Sequence, residues 1–171
     1  MDTQSTSAPA TAHTTIRLLR LSINGVEHEH TAPAHTTLAA LLREHAELTG
    51  TKVACDQAAC GACTVLLDGE PVFACHTLAA QVQGSRVLTI EGIGGDQLDP
   101  LQGAFIDRDA MQCGFCTPGM ILALKAAVAR AAAAGIKPGR AELAQAISGN
   151  VCRCGAYPHI LDAALDVVGR V

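Results

Sequence analysis

The sequence predicts an α+β protein in two parts: a β-grasp arrangement of strands and one helix, followed by a four-helix bundle. Alternating apolar and polar runs with Asn-Gly and Asp-Gly turn pairs occupy residues 16–92. Helical periodicity with capping signals occupies residues 93–171. The eight cysteines fall into two groups of four, one in each part. A stretch containing Gly, Asp and Pro, residues 91–100, separates the two patterns and is where we place the domain boundary.

The first part is predicted to contain two β-hairpins and a helix. The hairpins turn at Asn24–Gly25 and Asp68–Gly69, pairs that suit the positive φ angles of type I′ turns. Residues 37–48 place leucines on one helical stripe, and Thr36 and Thr37 are the two candidates for its N-cap. A closing strand over residues 86–90 completes the β-grasp order.

The second part is predicted to contain four helices with short connections, which is typical of a small bundle. Proline at the first helical position and glycine just past the last one mark their ends. Gly135 and Gly169 are the expected C-terminal glycines. The expected helices begin at Pro100 and then span residues 118–134, 139–148 and 158–168.

The first cysteine group has the spacing of plant-type ferredoxins. Three of its members follow the pattern C-x4-C-x2-C, in which thiolates hold a [2Fe–2S] cluster together with a fourth, later cysteine. The residues between them are small, and Gly61 can adopt dihedral angles that larger residues resist. Backbone N–H groups can therefore approach a cluster closely. The members are Cys55, Cys60, Cys63 and Cys75.

The second cysteine group lies near the predicted starts of two helices. Its first pair precedes the helix that opens at Pro118, and its second pair lies in the loop before the last helix. Helix N-termini present free N–H groups and a positive dipole end, which stabilise the charge of a thiolate-bound cluster. Because the eight thiols make two sets of four, and a [2Fe–2S] cluster takes four thiolates, we predict a second [2Fe–2S] cluster here. The members are Cys113, Cys116, Cys152 and Cys154.

Disulfides, structural zinc and a Rieske centre are the alternatives to these two clusters. Disulfides require an oxidising compartment, and these pairs are too close in sequence to join distant elements. Structural zinc favours two C-x2-C pairs on one ion, which the first group does not follow. A Rieske centre needs two histidine ligands, and only His76 lies beside a cysteine of the first group. Four other histidines are expected on solvated faces: His28, His30, His35 and His45.

The two cysteine signatures, in this order, resemble the xanthine dehydrogenase and aldehyde oxidase group of molybdenum hydroxylases. The resemblance covers residues 16–171, and SGNVCRCGAYPHI is most similar to the small subunits of bacterial aldehyde oxidoreductases and isoquinoline-type oxidoreductases. It implies a ferredoxin-like domain followed by a helical [2Fe–2S] domain. It also implies an electron-transfer subunit between a large subunit carrying a molybdenum–pterin cofactor and an FAD subunit or a cytochrome. Aldehydes are the expected substrate class, followed by N-heterocycles.

The resemblance further implies roles for residues of the second group. Gln112 would approach the pterin, and Cys154 would lie closest to its edge. Arg153 would either donate to a cluster sulfide or point to solvent. The chain departs from the family at Ala54 and Ala58, where glycine is common; alanine costs energy there if φ must be positive.

The remaining features exclude several functions. The net charge of −4 gives no basic footprint for nucleic acid, and no apolar run is long enough to span a bilayer. Residues 1–15 are expected to be a disordered tail without twin arginines or an apolar core, which favours the cytoplasm. The sequence shows no nucleotide fingerprint and no nucleophile paired with a base, so catalysis by this chain alone is not expected. The alternatives are a free-standing ferredoxin-like carrier and a zinc-binding interaction module.

Overall fold

The computed structural model describes residues 15–170, in which a mixed β-sheet is followed by a set of helices. The predicted tail, residues 1–15, therefore lies outside the described residues except for Thr15. Across residues 15–170, no helix is both long enough and apolar enough to cross a membrane. The α+β class expected from the sequence is confirmed.

The sheet has five strands in the spatial order β2-β1-β5-β3-β4. β1 and β5 run parallel, and the other neighbours are antiparallel. Both predicted turns adopt positive φ angles, 52° and 81° at Asn24–Gly25 and 51° and 92° at Asp68–Gly69, as a type I′ turn requires. The closing strand is shorter than predicted, because a 3₁₀ turn begins at Ile90. The strands are β1 (Ile16–Ile23), β2 (Val26–Pro33), β3 (Thr64–Leu67), β4 (Glu70–Phe73) and β5 (Arg86–Leu88).

The helix α1 (Leu38–Ala40) is short and continues as a π-helical turn, Leu41–His45. Thr37 caps it as predicted, its Oγ1 accepting a hydrogen bond from the Ala40 N–H at 3.2 Å. The prediction that the helix reaches residue 48 was wrong. Glu47 has a φ of 58°, in the left-handed region, which ends the helical conformation two residues beyond His45.

Four further helices follow: α2 (Pro100–Asp107), α3 (Thr117–Ala133), α4 (Arg140–Ala146) and α5 (Tyr157–Arg170). Asp99 caps α2 in a capping box with Gln102, and Pro100 takes the first helical position as predicted. Gly135 follows α3 with a φ of 67° and is the expected terminating glycine. The prediction that Gly169 lies past the end of α5 was wrong, because Val167 and Val168 are buried and keep the last turn packed.

Strand β3 contributes to two hydrophobic cores. Val65 points into the core between the sheet and α1, where it joins Leu19 and Leu41. Leu66 points to the opposite face and joins the core formed by the helices, which includes Met120 of α3. The sheet and the helices therefore pack directly against each other across β3.

Helix α3 approaches the chain just before β3 very closely. A Cβ atom added at Gly119, in the first turn of α3, would lie 2.6 Å from the backbone oxygen of Gly61. Contacts below about 3.0 Å are too short for a carbon and an oxygen, so only glycine fits here without movement. Gly103 of α2 provides a matched helical glycine, because nothing lies within 4 Å of a Cβ added there.

We expect the Gly119→Ala substitution to destabilise the protein by about 1–3 kcal/mol, the usual cost of overpacking. The Gly103→Ala substitution should instead stabilise it by about 0.5–1 kcal/mol, because alanine is the better helix former. Urea unfolding followed by circular dichroism checks both values. Equal effects of the two substitutions would contradict the close approach of α3 to Gly61.

Candidate metal centres

The first cysteine group is assembled by a loop and by the hairpin that follows it. Cys55 and Cys60 lie in the loop with their thiols next to each other. Cys63 immediately precedes β3, and Cys75 lies in a 3₁₀ turn just after β4. The register of the hairpin brings these two together, with the Cys75 N–H 3.5 Å from the Cys63 Sγ. All four predicted residues therefore meet at one end of the hairpin.

The second cysteine group is assembled by helix ends. Cys116 occupies the N-cap position of α3, and Cys152 and Cys154 lie in the loop between α4 and α5. The Sγ atoms of Cys113 and Cys154 are 3.5 Å apart, and the thiols of Cys116 and Cys152 lie next to each other. Cys113 and Cys154 are exposed, whereas Cys152 is buried.

The thiols in each group therefore form two pairs. A [2Fe–2S] cluster requires this arrangement, because each of its two irons takes two cysteine ligands. Two sulfurs bound tetrahedrally at about 2.3 Å from one metal lie about 3.8 Å apart, close to the spacing of Cys113 and Cys154. Within residues 15–170, no three His, Cys, Asp or Glu side chains converge on a single point as ligands of one ion. The donor set fits two binuclear clusters.

Backbone N–H groups point at several of these sulfurs. The Ala59 N–H lies 3.3 Å from the Cys55 Sγ, and the Ala156 N–H lies 3.4 Å from the Cys152 Sγ. Hydrogen bonds from the backbone N–H groups of Gln57 and Ala59 lower the pKa of Cys55 to about 7. Such N–H groups also stabilise the negative charge of a thiolate-bound cluster.

Burial has the opposite effect on two other thiols. It raises the pKa of Cys63 to about 12 and that of Cys116 to about 12, because a buried thiolate loses its hydration. Metal ligands must be deprotonated. The buried thiols therefore release their protons as a metal binds, and cluster assembly at both sites is coupled to proton release.

The loop around Cys55 and Cys60 contains several residues in the left-handed region. Asp56 has a φ of 55°, Ala58 a φ of 58° and Gly61 a φ of 68°. The energetic cost predicted from the sequence therefore applies to Ala58, where an alanine occupies a conformation that favours glycine. It does not apply to Ala54, which is not among the described residues with positive φ.

The two cysteine groups are directly connected. The Val151 N–H donates a 2.8 Å hydrogen bond to the carbonyl oxygen of Cys60, so the backbones of the two groups touch. A crevice of about 180 Å³ lies between them, and its walls include Cys60, Cys113 and Cys116. Arg153 is exposed and also lines this crevice.

Two residues at the junction of the groups were not identified from the sequence. Asn150 is 5% exposed, and its side chain contacts the loop of the first group. The Tyr157 hydroxyl contacts the backbone of the second group. A polar residue two positions before a cysteine pair and a tyrosine three residues after it were the available signals. Neither residue type is a metal ligand in such a site, so the spacing did not single them out.

The remaining candidate residues are placed as follows. Gln112 is exposed and immediately precedes Cys113. His35 and His45 are exposed as expected, but His28 and His30 are only half exposed. The rings of His28 and His30 stack with centroids 5.6 Å apart, and burial together with the charges of His28 and His45 lowers the pKa of His30.

Comparison with known proteins agrees with two cluster sites. Residues 21–88 match the family described as 2Fe-2S iron-sulfur cluster binding domain. Residues 89–165 match the family described as [2Fe-2S] binding domain. A sheet domain and a helical domain, each with its own four-cysteine group, define the class of proteins with two [2Fe–2S] clusters.

Individual relatives narrow this class. The chain is 43% identical to the aldehyde oxidoreductase iron–sulfur-binding subunit of Escherichia coli O157:H7, over 99% of this chain and 80% of that protein. It is 40% identical to the nicotine 6-hydroxylase small subunit of Paenarthrobacter nicotinovorans, over 88% and 89% of the two chains. Among solved structures, quinoline 2-oxidoreductase from Pseudomonas putida 86 superposes with a TM-score of 0.84 at 40% identity, covering 90% of this chain and 93% of that one.

The chain therefore belongs to the small iron–sulfur subunits of the molybdenum hydroxylase family, which includes xanthine dehydrogenase and aldehyde oxidase. It is a non-catalytic, electron-transfer subunit of an oxidoreductase. The α+β class and the family expected from the sequence are confirmed.

We expect the Ala58→Gly substitution to stabilise the protein by about 1 kcal/mol, because it relieves the left-handed strain of alanine. Ala54→Gly is the control in the same loop. It should be neutral or destabilising by up to about 1 kcal/mol, because glycine only adds freedom to the unfolded chain there. The midpoint of urea unfolding checks both, and a loss of stability in Ala58→Gly would contradict the strain.

Proposed function

We propose that the eight cysteines hold two [2Fe–2S] clusters and that the chain conducts electrons between two partner proteins. The pairing of the thiols, two by two at each site, is the observation that carries this proposal. The first cluster would be held by Cys55, Cys60, Cys63 and Cys75. The second would be held by Cys113, Cys116, Cys152 and Cys154.

The ligand sets leave no position for a substrate. When bound, each cluster accepts or releases one electron at a time. Four thiolates occupy all the protein-facing positions of the two irons, so the chain's own residues bind and orient the clusters and do no further chemistry. The small residues of the first loop and the N–H groups aimed at Cys55 and Cys152 adjust the stability of each redox state.

The exposure of the second site suggests the direction of the relay. Cys113 and Cys154 are exposed, whereas Cys152 is buried on the side that leads through Val151 to Cys60. An exposed edge is accessible to a partner, and the buried edge faces the first site. We propose that the partner here is a large subunit carrying a molybdenum–pterin cofactor, with Cys154 nearest the pterin and Gln112 beside it.

The chain divides, in this proposal, into a ferredoxin-like domain over residues 16–92 and a helical domain over residues 93–171. The boundary is supported by the two family matches, which meet at residues 88 and 89. Helices α2 to α5 share one hydrophobic core, which supports a four-helix bundle as the scaffold of the second site.

The acceptor and the substrate belong to partner proteins. We propose an FAD-binding subunit as the acceptor of electrons from the first site, with a cytochrome as the alternative. Aldehydes are the proposed substrate class, because aldehyde oxidoreductase subunits are among the similar proteins. N-heterocycles are the second candidate, supported by the nicotine, caffeine and quinoline enzymes. The cytoplasm is the proposed location, because unpaired thiols persist in a reducing compartment.

We expect the purified protein to contain about four iron atoms per chain and to give two distinct S = 1/2 EPR signals after reduction, as two [2Fe–2S] clusters require. Cys75→Ser should remove one signal, and Cys152→Ser should remove the other. His76→Ala is the control, because His76 is exposed beside Cys75 and is not a proposed ligand. It should leave both signals unchanged.

Other results would contradict these assignments. Zinc in place of iron would overturn the cluster proposal and favour the zinc-binding module. Loss of a signal in His76→Ala would indicate a Rieske-like site. If the chain purifies without a larger subunit, that result would favour a free-standing carrier.

We expect Gln112→Ala to slow reduction of the clusters by substrate in the complete enzyme by about 10-fold. This is the smallest loss usually seen when a residue that supports the ligands of a metal site is removed. Reduction by dithionite should not change, because dithionite does not need the proposed contact with the pterin. Stopped-flow absorbance measures both rates. Gln83→Ala, at another exposed glutamine, is the matched control. Equal rates in Gln112→Ala and wild type would refute the role of Gln112.

A further inference from the structure

A single buried side chain joins the two cysteine groups. The Asn150 Nδ2 donates to the carbonyl oxygen of Gly61 at 2.9 Å and to the Oγ1 of Thr64 at 3.1 Å. Both acceptors flank Cys63 in the first group, whereas Asn150 lies two residues before Cys152 in the second. Asn150 is one of four buried polar residues in the described part of the chain. Its amide is therefore a fixed contact between the two sites.

The neighbouring residues reinforce this contact. Val151 adds the backbone hydrogen bond to Cys60 at 2.8 Å. The Thr64 Oγ1 itself donates to the Gly61 oxygen at 2.7 Å, so the acceptor is held on both sides. Three hydrogen bonds thus cross from residues 150–151 to the first loop, within a span of two residues.

Tyr157 holds the same segment from the opposite side. Its hydroxyl donates to the carbonyl oxygen of Asn150 at 3.1 Å and accepts from the Cys152 N–H at 2.8 Å. Tyr157 is the first residue of α5, so the segment is tied to a long helix. The Asn150 backbone N–H also donates to the Ile147 carbonyl oxygen at 2.9 Å, which ties the segment to the end of α4.

These contacts leave the segment little freedom. Buried hydrogen bonds of this kind constrain geometry strongly, because a lost partner leaves a polar atom buried without compensation. The segment also carries the ligand Cys152 directly after Val151. Any movement of Asn150 therefore changes the position of the second site relative to the first.

We propose that Asn150 is a positioning residue that fixes the distance between the two [2Fe–2S] clusters, and that Tyr157 holds Asn150 in place. The inference rests on the proposed assignment of the eight ligands. Its consequence is kinetic: one electron lost by one cluster is gained by the other at a rate set by this fixed separation. Neither residue contacts iron in this proposal.

The test uses the full chain purified with its clusters and with any subunit that copurifies. Asn150→Ala should retain about four irons per chain, as two clusters require. In the fully reduced protein, the two clusters interact magnetically and split each other's EPR signals. Asn150→Ala should make this splitting smaller or less sharply defined. Flash photoreduction should show inter-cluster electron transfer slowed by about 10-fold, as when outer partners of a metal site are removed.

Gentler variants keep the test decisive if Asn150→Ala does not fold. Thr64→Val keeps the side-chain volume but removes the hydroxyl, and it should slow the transfer in the same direction. Thr64→Ser keeps the hydroxyl and should behave as wild type. Tyr157→Phe should shift the reduction potential of the second cluster and leave that of the first unchanged, because the Cys152 N–H loses its acceptor.

A control separates positioning from general stability. Asp99→Ala removes the capping box of α2, a helix that contributes no cysteine, and should lower the melting temperature. It should change neither the splitting nor the transfer rate. If Asn150→Ala, Thr64→Val and Tyr157→Phe also lower only the melting temperature, the positioning role is overturned.

The outcomes also separate this inference from the proposed function. A wild-type protein without iron or without two EPR signals overturns the ligand assignment itself. A wild-type protein with both clusters, whose splitting, potentials and transfer rate survive all three substitutions, overturns only the role of Asn150. If the splitting is too small to resolve, the transfer rate decides.

Discussion

The carbonyl group of Gly61 is the contact on which the arrangement of the molecule depends. Its oxygen accepts hydrogen bonds from the Thr64 hydroxyl and from Asn150, and a Cβ atom added at Gly119 in the first turn of α3 would lie only 2.6 Å from it. A side chain at Gly61 would itself meet the Gly149 oxygen at 2.5 Å. The cysteine loop, helix α3 and the segment before Cys152 can converge here only because two of the three elements contribute glycine.

The two sites differ in how they meet solvent. Cys63 and Cys75 lie within the core of the sheet, whereas Cys113 and Cys154 are exposed at the ends of helices. Exposure and hydrogen bonding to sulfur are the main means by which a protein adjusts the potential of an iron–sulfur cluster. A hairpin register and a helix terminus thus give the same ligand chemistry two different environments, and this difference is the basis of the direction that we propose for the relay.

Most of the fold and the cysteine groups could be predicted from local signals in the sequence. Asn24–Gly25 and Asp68–Gly69 specify their turns, and Thr37 and Asp99 specify helix starts, because each acts through its own backbone. Helix ends were harder: α1 stops early where Glu47 turns to a left-handed φ, and α5 runs past Gly169 because its last turn is packed. Asn150 and Tyr157 were missed for a related reason. Asn150 binds a loop that is distant in sequence, and Tyr157 binds only backbone atoms, which no residue type marks in the sequence.

Because both faces of β3 are buried, the sheet part of the chain depends on the helices that cover it. Val65 and Leu66 serve different cores, so a ferredoxin-like half separated from its helices would expose an apolar stripe at Leu66. Such a fragment would aggregate unless that face were made polar. A sheet domain that folds without the helices would need a polar residue in place of Leu66, which here packs against the helical core.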